Sequence, residues 1–267
     1  MILSPIEQSI KRKIEAVGKP LKEWDIQINY GIKTGLNEAF IVSTEKREEI
    51  LANCKDADER KRTAELIRPI LRGRDIKRYT YVDNGLWLIN THNGVKGKIP
   101  RIKIEDYPAI KAHLDQYWDK IKDRADRGDT PYNLRNCAYL EDFGKPQIVW
   151  IELSDEPKFS MANDVMSVNT VFFMTGEHIL HLLGLLNSAL ITWYFRHCIG
   201  TTSGVGTNRW LKYTIEQIPI APCDTEFEAL VASLCNGYDK RIDEKIDCLC
   251  CSLYGLNSDE TKYILAQ

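Results

Sequence analysis

At 267 residues and 43% hydrophobic side chains, the chain can bury a substantial core, as one large domain or one domain with a helical appendage. Its longest apolar stretch, residues 179–195, is broken by His181, Asn187, Ser188 and Thr192, which argues for a buried helix and against a bilayer span. No charged and apolar leader opens the sequence, so the expected location is cytoplasmic, and the net charge of −2 hides segments of −2 (1–59), +8 (60–135) and −8 (136–267).

Ser4-Pro5-Ile6-Glu7 is a capping box with proline at the first helical position, and Ile6, Ile10, Ile14 and Val17 share one face up to Gly18. Short strands are predicted around Ile26 and Ile28 and around 39–42, on either side of the polar turn 31–37. Helical pattern returns at 45–53 and 57–67 until Pro69, and strand-like runs follow at 79–82 and 86–89. A helix is expected at 107–124, buried strands at 147–153 and 168–174, and one long apolar helix at 177–197. The glycine-rich stretch 200–208 reads as a loop, 209–213 as a strand, and Leu230 to Leu253 as an amphipathic helical seam. A short helix capped at Ser258 ends the chain.

The eight cysteines lack the spacing of a disulfide framework and read as reduced thiols. Cys248-x-x-Cys251, with Cys235 and Cys223 upstream, spells half of a zinc site, but a helical apolar pattern favours core packing, and no metal is expected. His178 and His181 likewise suit core or capping roles better than metal binding. A methyl-donor glycine turn and an Asn/Asp-Pro-Pro-aromatic loop are both missing, and the 200–206 glycines lack a phosphate-loop ending. Asp142 with Glu156-Pro157-Lys158 imitates a magnesium-nuclease pattern, although proline makes a turn the better reading of that triplet.

Four stretches, in order, resemble the TaqI-like C-terminal specificity domain of Type IIG restriction enzymes and adenine-N6 DNA methyltransferases. They are Ile32-Lys33-Thr34-Gly35-Leu36-Asn37-Glu38-Ala39-Phe40-Ile41-Val42; Ile67-Arg68-Pro69-Ile70-Leu71-Arg72-Gly73-Arg74-Asp75-Ile76-Lys77-Arg78-Tyr79; Gln147-Ile148-Val149-Trp150-Ile151-Glu152-Leu153 with Lys158-Phe159; and 204–212 joined to 216–220, then Ile246-Asp247-x-Leu249 and Leu253-Tyr254-Gly255-Leu256. The resemblance implies an α+β fold, a mixed-sheet target-recognition domain at 26–222 with packed helices. It also implies a connecting helix at 1–25 from an absent methyltransferase domain and a C-terminal helical segment at 223–267. Its implied partners are double-stranded DNA and a methyltransferase catalytic domain, in cis or in trans; no membrane is expected. S-adenosylmethionine belongs to that absent domain and no cofactor to this chain, which is expected to be a piece of a bacterial restriction–modification enzyme or a separate subunit.

DNA reading needs phosphate contacts that place the protein and base-edge contacts that choose the sequence. Arg72, Arg74, Lys77 and Arg78 are the phosphate or groove candidates, the alternative being a surface turn with one salt bridge to Asp75. Lys33, Thr34 and Asn37 lie on one polar loop, and Thr201, Thr202, Ser203, Asn208, Arg209 and Lys212 on or beside another. Asn208 and Arg209 are the sharpest base-reading candidates, unless Asn208 only shapes a turn. A specificity subunit in trans, or a nuclease built on Asp142, Glu156 and Lys158, are the other readings carried forward.

Overall fold

The structure, a computed structural model, describes residues 3–202 and 207–267. Helix Pro5–Val17 starts on the expected box: Ser4 Oγ accepts from the Glu7 backbone, and the Glu7 carboxylate accepts from the Ser4 backbone. Ile10 and Ile14 are fully buried on its inner face. At Gly18 a Cβ would sit 2.5 Å from Pro219 Cβ, so glycine lets the chain pass close enough for Lys19–Pro20 to pair antiparallel with Pro219–Ile220. This helix also meets the last one, Ser258–Leu265: Ser9 and Lys13 donate to Glu260 at 2.7 and 2.6 Å, and Tyr263 donates to Glu7 at 2.9 Å.

Two four-stranded sheets form the centre, giving an α+β architecture. In the first, all pairs are antiparallel and the order is Ile26–Tyr30, Val171–Gly176, Gln147–Ile151, Ser160–Ala162. In the second the order is Ile41–Ser43, Leu86–Ile89, Ile67–Leu71, Met166–Ser167, the last pair parallel.

Side chains alternate across a strand, so Ile148 and Trp150 point one way and Val149 the other. Ile148, Trp150, Phe172 and Met174 join a cluster with the helices Ile179–Asn187, Ala189–Tyr194, Thr225–Asn236 and Lys240–Leu253. Val149, Val171 and Phe173 join a second cluster with the other sheet and helix Pro108–Asp115. The first sheet is therefore covered on both faces, which is why its two central strands read as nearly unbroken apolar runs.

Several elements are shorter than their periodicity predicts, for local polar reasons. The long apolar helix divides at Ser188, whose Oγ caps Ile191 at 3.2 Å while Asp247 accepts from the Ala189 N–H at 2.7 Å. The seam from Leu230 to Leu253 divides at Gly237, and Asp239 caps the second half by accepting from the Arg241 N–H at 2.8 Å. Segment 107–124 holds two helices, Pro108–Asp115 and Trp118–Ile121. Segment 79–82 makes only isolated bridges, Ile76 to Tyr81 and Tyr79 to Ser160, because Tyr79 adopts a positive φ of 67°. Segment 209–213 gives the short strand Asn208–Arg209 and then helix Lys212–Ile215.

One buried carboxylate joins the C-terminal helices to the sheets. Asp243 accepts from Arg78 Nε and Nη2 at 2.8 and 2.7 Å, Tyr79 Oη at 2.9 Å and Tyr238 Oη at 3.0 Å. Asp243→Ala leaves a largely enclosed guanidinium without its anion, at a cost of about 3 kcal/mol or more. The exposed neighbour variant Glu244→Ala should stay within about 0.5 kcal/mol of the parent. Urea unfolding of both variants checks this, and equal stabilities would contradict the anchoring role.

Candidate nucleic-acid interface

The basic turn follows strand Ile67–Leu71 as a single 3-10 turn, Gly73–Asp75. Arg72 donates from Nε and Nη2 to the two Asp75 carboxylate oxygens, both at 3.1 Å, and from its backbone N–H at 2.8 Å. Asn84 adds a further donor at 2.8 Å. Burial alone would raise the Asp75 carboxyl, but these donors hold it below the usual carboxylate range. A Cβ on Gly73 would lie 2.8 Å from Ile151 Cγ2, so the turn rests directly on the end of strand Gln147–Ile151.

The seven cationic candidates separate by partner. Arg74 and Lys77 are exposed and enter no ion pair among the described residues; Lys77 Nζ reaches only the Arg74 carbonyl, at 3.4 Å. Arg72 is committed to buried Asp75, and Arg78 to Asp243 and the Asn187 carbonyl, so Arg78 points into the molecule and braces it. Lys33 pairs with Asp126 at 3.0 Å on the surface. Arg209 donates from Nε and Nη2 to one Glu152 oxygen at 3.0 and 2.6 Å, with its side chain still 43% exposed. Lys212 donates to the Ile28 carbonyl at 3.0 Å and pairs with Glu216 at 3.8 Å.

Among the polar candidates, Thr34 is buried, donating to Asn37 Oδ1 at 2.6 Å and accepting from the Leu36 N–H at 3.2 Å. It fixes the loop from inside and leaves Asn37 exposed. Thr201 and Thr202 are exposed on a strand paired antiparallel with Asn208–Arg209. Asn208 is buried, its amide donating to the Asp155 carbonyl at 3.3 Å, so its side chain holds the loop base. Ser203 lies outside the described residues.

A surface cavity of about 450 Å³ brings Asn37 and Arg72 together with Asn169 and Thr170. The Asn169-Thr170 turn lies inside an apolar run and was missed in the sequence, where its only signal is two exposed polar side chains between Val168 and Val171. Glu152, the residue after strand Gln147–Ile151, holds Arg209. Arg124, also missed, is buried and donates to the carbonyls of Thr34, Asp126, Pro131 and Asn133. Burial lowers its guanidinium to about 10, so it stays charged at neutral pH and ties the 31–37 loop to the 126–133 segment.

The nuclease pattern does not assemble. Asp142 accepts from Asn29 at 3.0 Å and Lys145 at 2.7 Å, whereas Glu156 and Lys158 line a separate cleft of about 900 Å³ that Asp142 does not border. Cys250 and Cys251 are buried thiols, Cys250 donating to Ser188 Oγ at 3.2 Å. No helix among the described residues is long and apolar enough to cross a membrane.

An α+β scaffold that displays arginine, lysine and asparagine from turns at strand ends has the makings of a specificity domain. The model of the TaqI-like C-terminal specificity domain matches residues 68–220, more than half of the chain, and the chain belongs to that family. Its fold is similar to that of the Type IIL restriction-modification enzyme MmeI, solved in complex with DNA, with TM-score 0.61 and 12% identity over 93% of this chain and 37% of that one. It is also similar to the type IIG restriction endonuclease BpuSI, with TM-score 0.56 and 11% identity over 97% of this chain and 33% of that one. The chain thus spans about a third of the length of these two enzymes.

Because the folded-state Asp75 carboxyl is depressed, its contribution to stability is present above the ordinary Asp value of 3.8 and is lost as pH falls through the folded value. The melting-temperature gap between the parent and Asp75→Asn should be full at pH 7 and shrink below pH 4, roughly. A gap independent of pH would show that the Arg72 fork does not depend on the charge.

Proposed function

We propose that this chain is the DNA sequence-recognition module of a restriction–modification enzyme and has no catalytic centre of its own. The observation that carries the reading is the Arg72–Asp75 turn: two exposed cations without an ion-pair partner among the described residues, Arg74 and Lys77, ride on a turn pinned to the strand ends. Asn37, Asn169 and Thr170 share a surface cavity with Arg72. Arg74 and Lys77 supply phosphate contacts; Arg209, Asn37 and Asn169, with Thr201 and Thr202 on the neighbouring hairpin, are the candidates for base edges. Arg72, Arg78, Thr34 and Asn208 position these groups.

The chain has the length of a third of the restriction enzymes it resembles, so the favoured arrangement places an adenine-N6 methyltransferase domain on the same polypeptide, as in a Type IIG enzyme. That domain would hold S-adenosylmethionine, and the whole would work in a bacterial cytoplasm. This chain alone should therefore give no saturable heat with S-adenosylmethionine in calorimetry; a stoichiometric isotherm would place a methyl-donor site here.

DNA binding is tested by fluorescence titration at several salt concentrations, with a cognate site taken from the source genome's methylation map and a scrambled site beside it. Each phosphate contact removed lowers the salt slope of log affinity by roughly 0.9, so Arg74→Ala and Lys77→Ala should do so on both DNAs. Arg209→Ala should cost about 1–3 kcal/mol on the cognate site and little on the scrambled one. An unchanged slope in the Arg74 variant removes the turn from the interface, and equal losses on both DNAs make Arg209 a phosphate contact.

A further inference from the structure

Strand Val171–Gly176 runs away from the Asn169-Thr170 turn for 6 residues, roughly 20 Å at strand rise. At its far end lies a cluster that DNA recognition does not use. His178 adopts a left-handed backbone, φ 52°, immediately before helix Ile179–Asn187. The edge of its ring meets Trp24 at 6.1 Å and 87°. Cys223 precedes Asp224, the cap of helix Thr225–Asn236, and Glu228 follows on that helix. The two helices already touch: a Cβ on Gly184 would lie 2.5 Å from Val231 Cγ2.

His178 Nδ1 is 3.4 Å from Glu228 Oε1, and these two atoms and Cys223 Sγ all lie within 4.8 Å of one another. This is the only such group of three His, Cys, Asp or Glu donors among the described residues. Glu228 Oε1 is enclosed and accepts no hydrogen bond among the described residues. A protonated His178 would supply charge at that distance but no bond, and it would leave the neighbouring thiol without a role. One sulfur, one nitrogen and one oxygen donor form a set that suits zinc, whose bonds of about 2.0–2.3 Å place tetrahedral ligands roughly 3.4–3.6 Å apart. The His–Glu pair already has that spacing, and the sulfur, within 4.8 Å of both, needs to close by at most about 1 Å.

We propose that His178 Nδ1, Cys223 Sγ and Glu228 Oε1 form a zinc site that staples the 176–179 turn to the start of helix Thr225–Asn236. His178 and Cys223 are exposed, so a water completes the tetrahedron, and the Cys223 thiol releases its proton to solvent as the metal binds. The site fastens the C-terminal helical segment to the sheet at the end opposite the DNA face. It holds no residue of that face, so it stands or falls independently of the proposed function.

The test uses the whole chain, stripped with chelator and titrated with zinc chloride by calorimetry, with metal content measured by elemental analysis after dialysis. One equivalent is expected. Cys223→Ser and His178→Asn should each weaken binding beyond the roughly 10–100-fold that loss of an outer-shell partner costs. The exposed-cysteine control Cys248→Ser should leave it unchanged. Cobalt substitution should give a thiolate charge-transfer band that disappears in Cys223→Ser, and zinc should raise the melting temperature of the parent but not of that variant. No stoichiometric zinc in the parent, or zinc retained by a folded Cys223→Ser chain, overturns the site and leaves an ordinary surface His–Glu pair.

Discussion

The antiparallel sheet that carries Gln147–Ile151 and Val171–Gly176 is enclosed on both faces, and the rest of the molecule is arranged around that constraint. Trp150, Phe172 and Met174 belong to the helical side, and Val149, Val171 and Phe173 to the side of the second sheet. A sheet with no free face offers the surface only its strand ends and connecting turns. Asn169 and Thr170 stand there, exposed just before strand Val171–Gly176. The same enclosure gives those turns a rigid floor, since Gly73 lies against Ile151 without room for a methyl group.

Turns carry backbone groups that no ladder satisfies, so each needs an anchor. Three arginines are among the anchors here. Arg124 satisfies four carbonyls around the 31–37 and 126–133 loops, Arg72 closes its own turn on Asp75, and Arg78 reaches Asp243 across 165 positions of sequence. The planar fork suits this work because one side chain can serve two or more acceptors in fixed directions. A lysine in any of these places has three donors on one atom and lacks the planar fork that meets both oxygens of a carboxylate side by side.

The α+β class, the capping box at Ser4 and the two apolar central strands were legible in the sequence, because each rests on local pattern: a cap spacing or an unbroken apolar run. The breaks at Ser188 and Gly237 were not, since periodicity continues straight through them and the deciding groups, Asp247 for the first and Asp239 for the second, become visible only in three dimensions or as one more acidic residue in an acidic segment. The arginine-rich turn was legible as a cluster but not as individuals. Nothing in Arg72-Gly73-Arg74-Asp75-Ile76-Lys77-Arg78 says that Arg78 turns inward, because its acceptor is contributed by helix Lys240–Leu253. Asn208 was read as a base reader for its chemistry, and only the fold shows its amide spent on the Asp155 carbonyl.

Partners also decide how much of the positive charge a polyanion can use. An exposed ion pair is worth about 0–1 kcal/mol, so Lys33 and Arg209 can exchange Asp126 or Glu152 for a phosphate or a base edge at little cost. A pair whose carboxylate is buried does not exchange, because the abandoned anion would stay in a poorly solvated site. Asp75 and Asp243 are both of that kind, with side chains 3% and 9% exposed. The +8 of segment 60–135 therefore overstates the charge available to a polyanion, and the cations of the basic turn fall into two grades. Among the described residues Arg74 and Lys77 have no carboxylate partner, while Arg72 and Arg78 are held by the fold. A mutation series across this turn that treated its four cations as equivalent would mix losses of affinity with losses of stability, and the carboxylate each one faces tells the two apart.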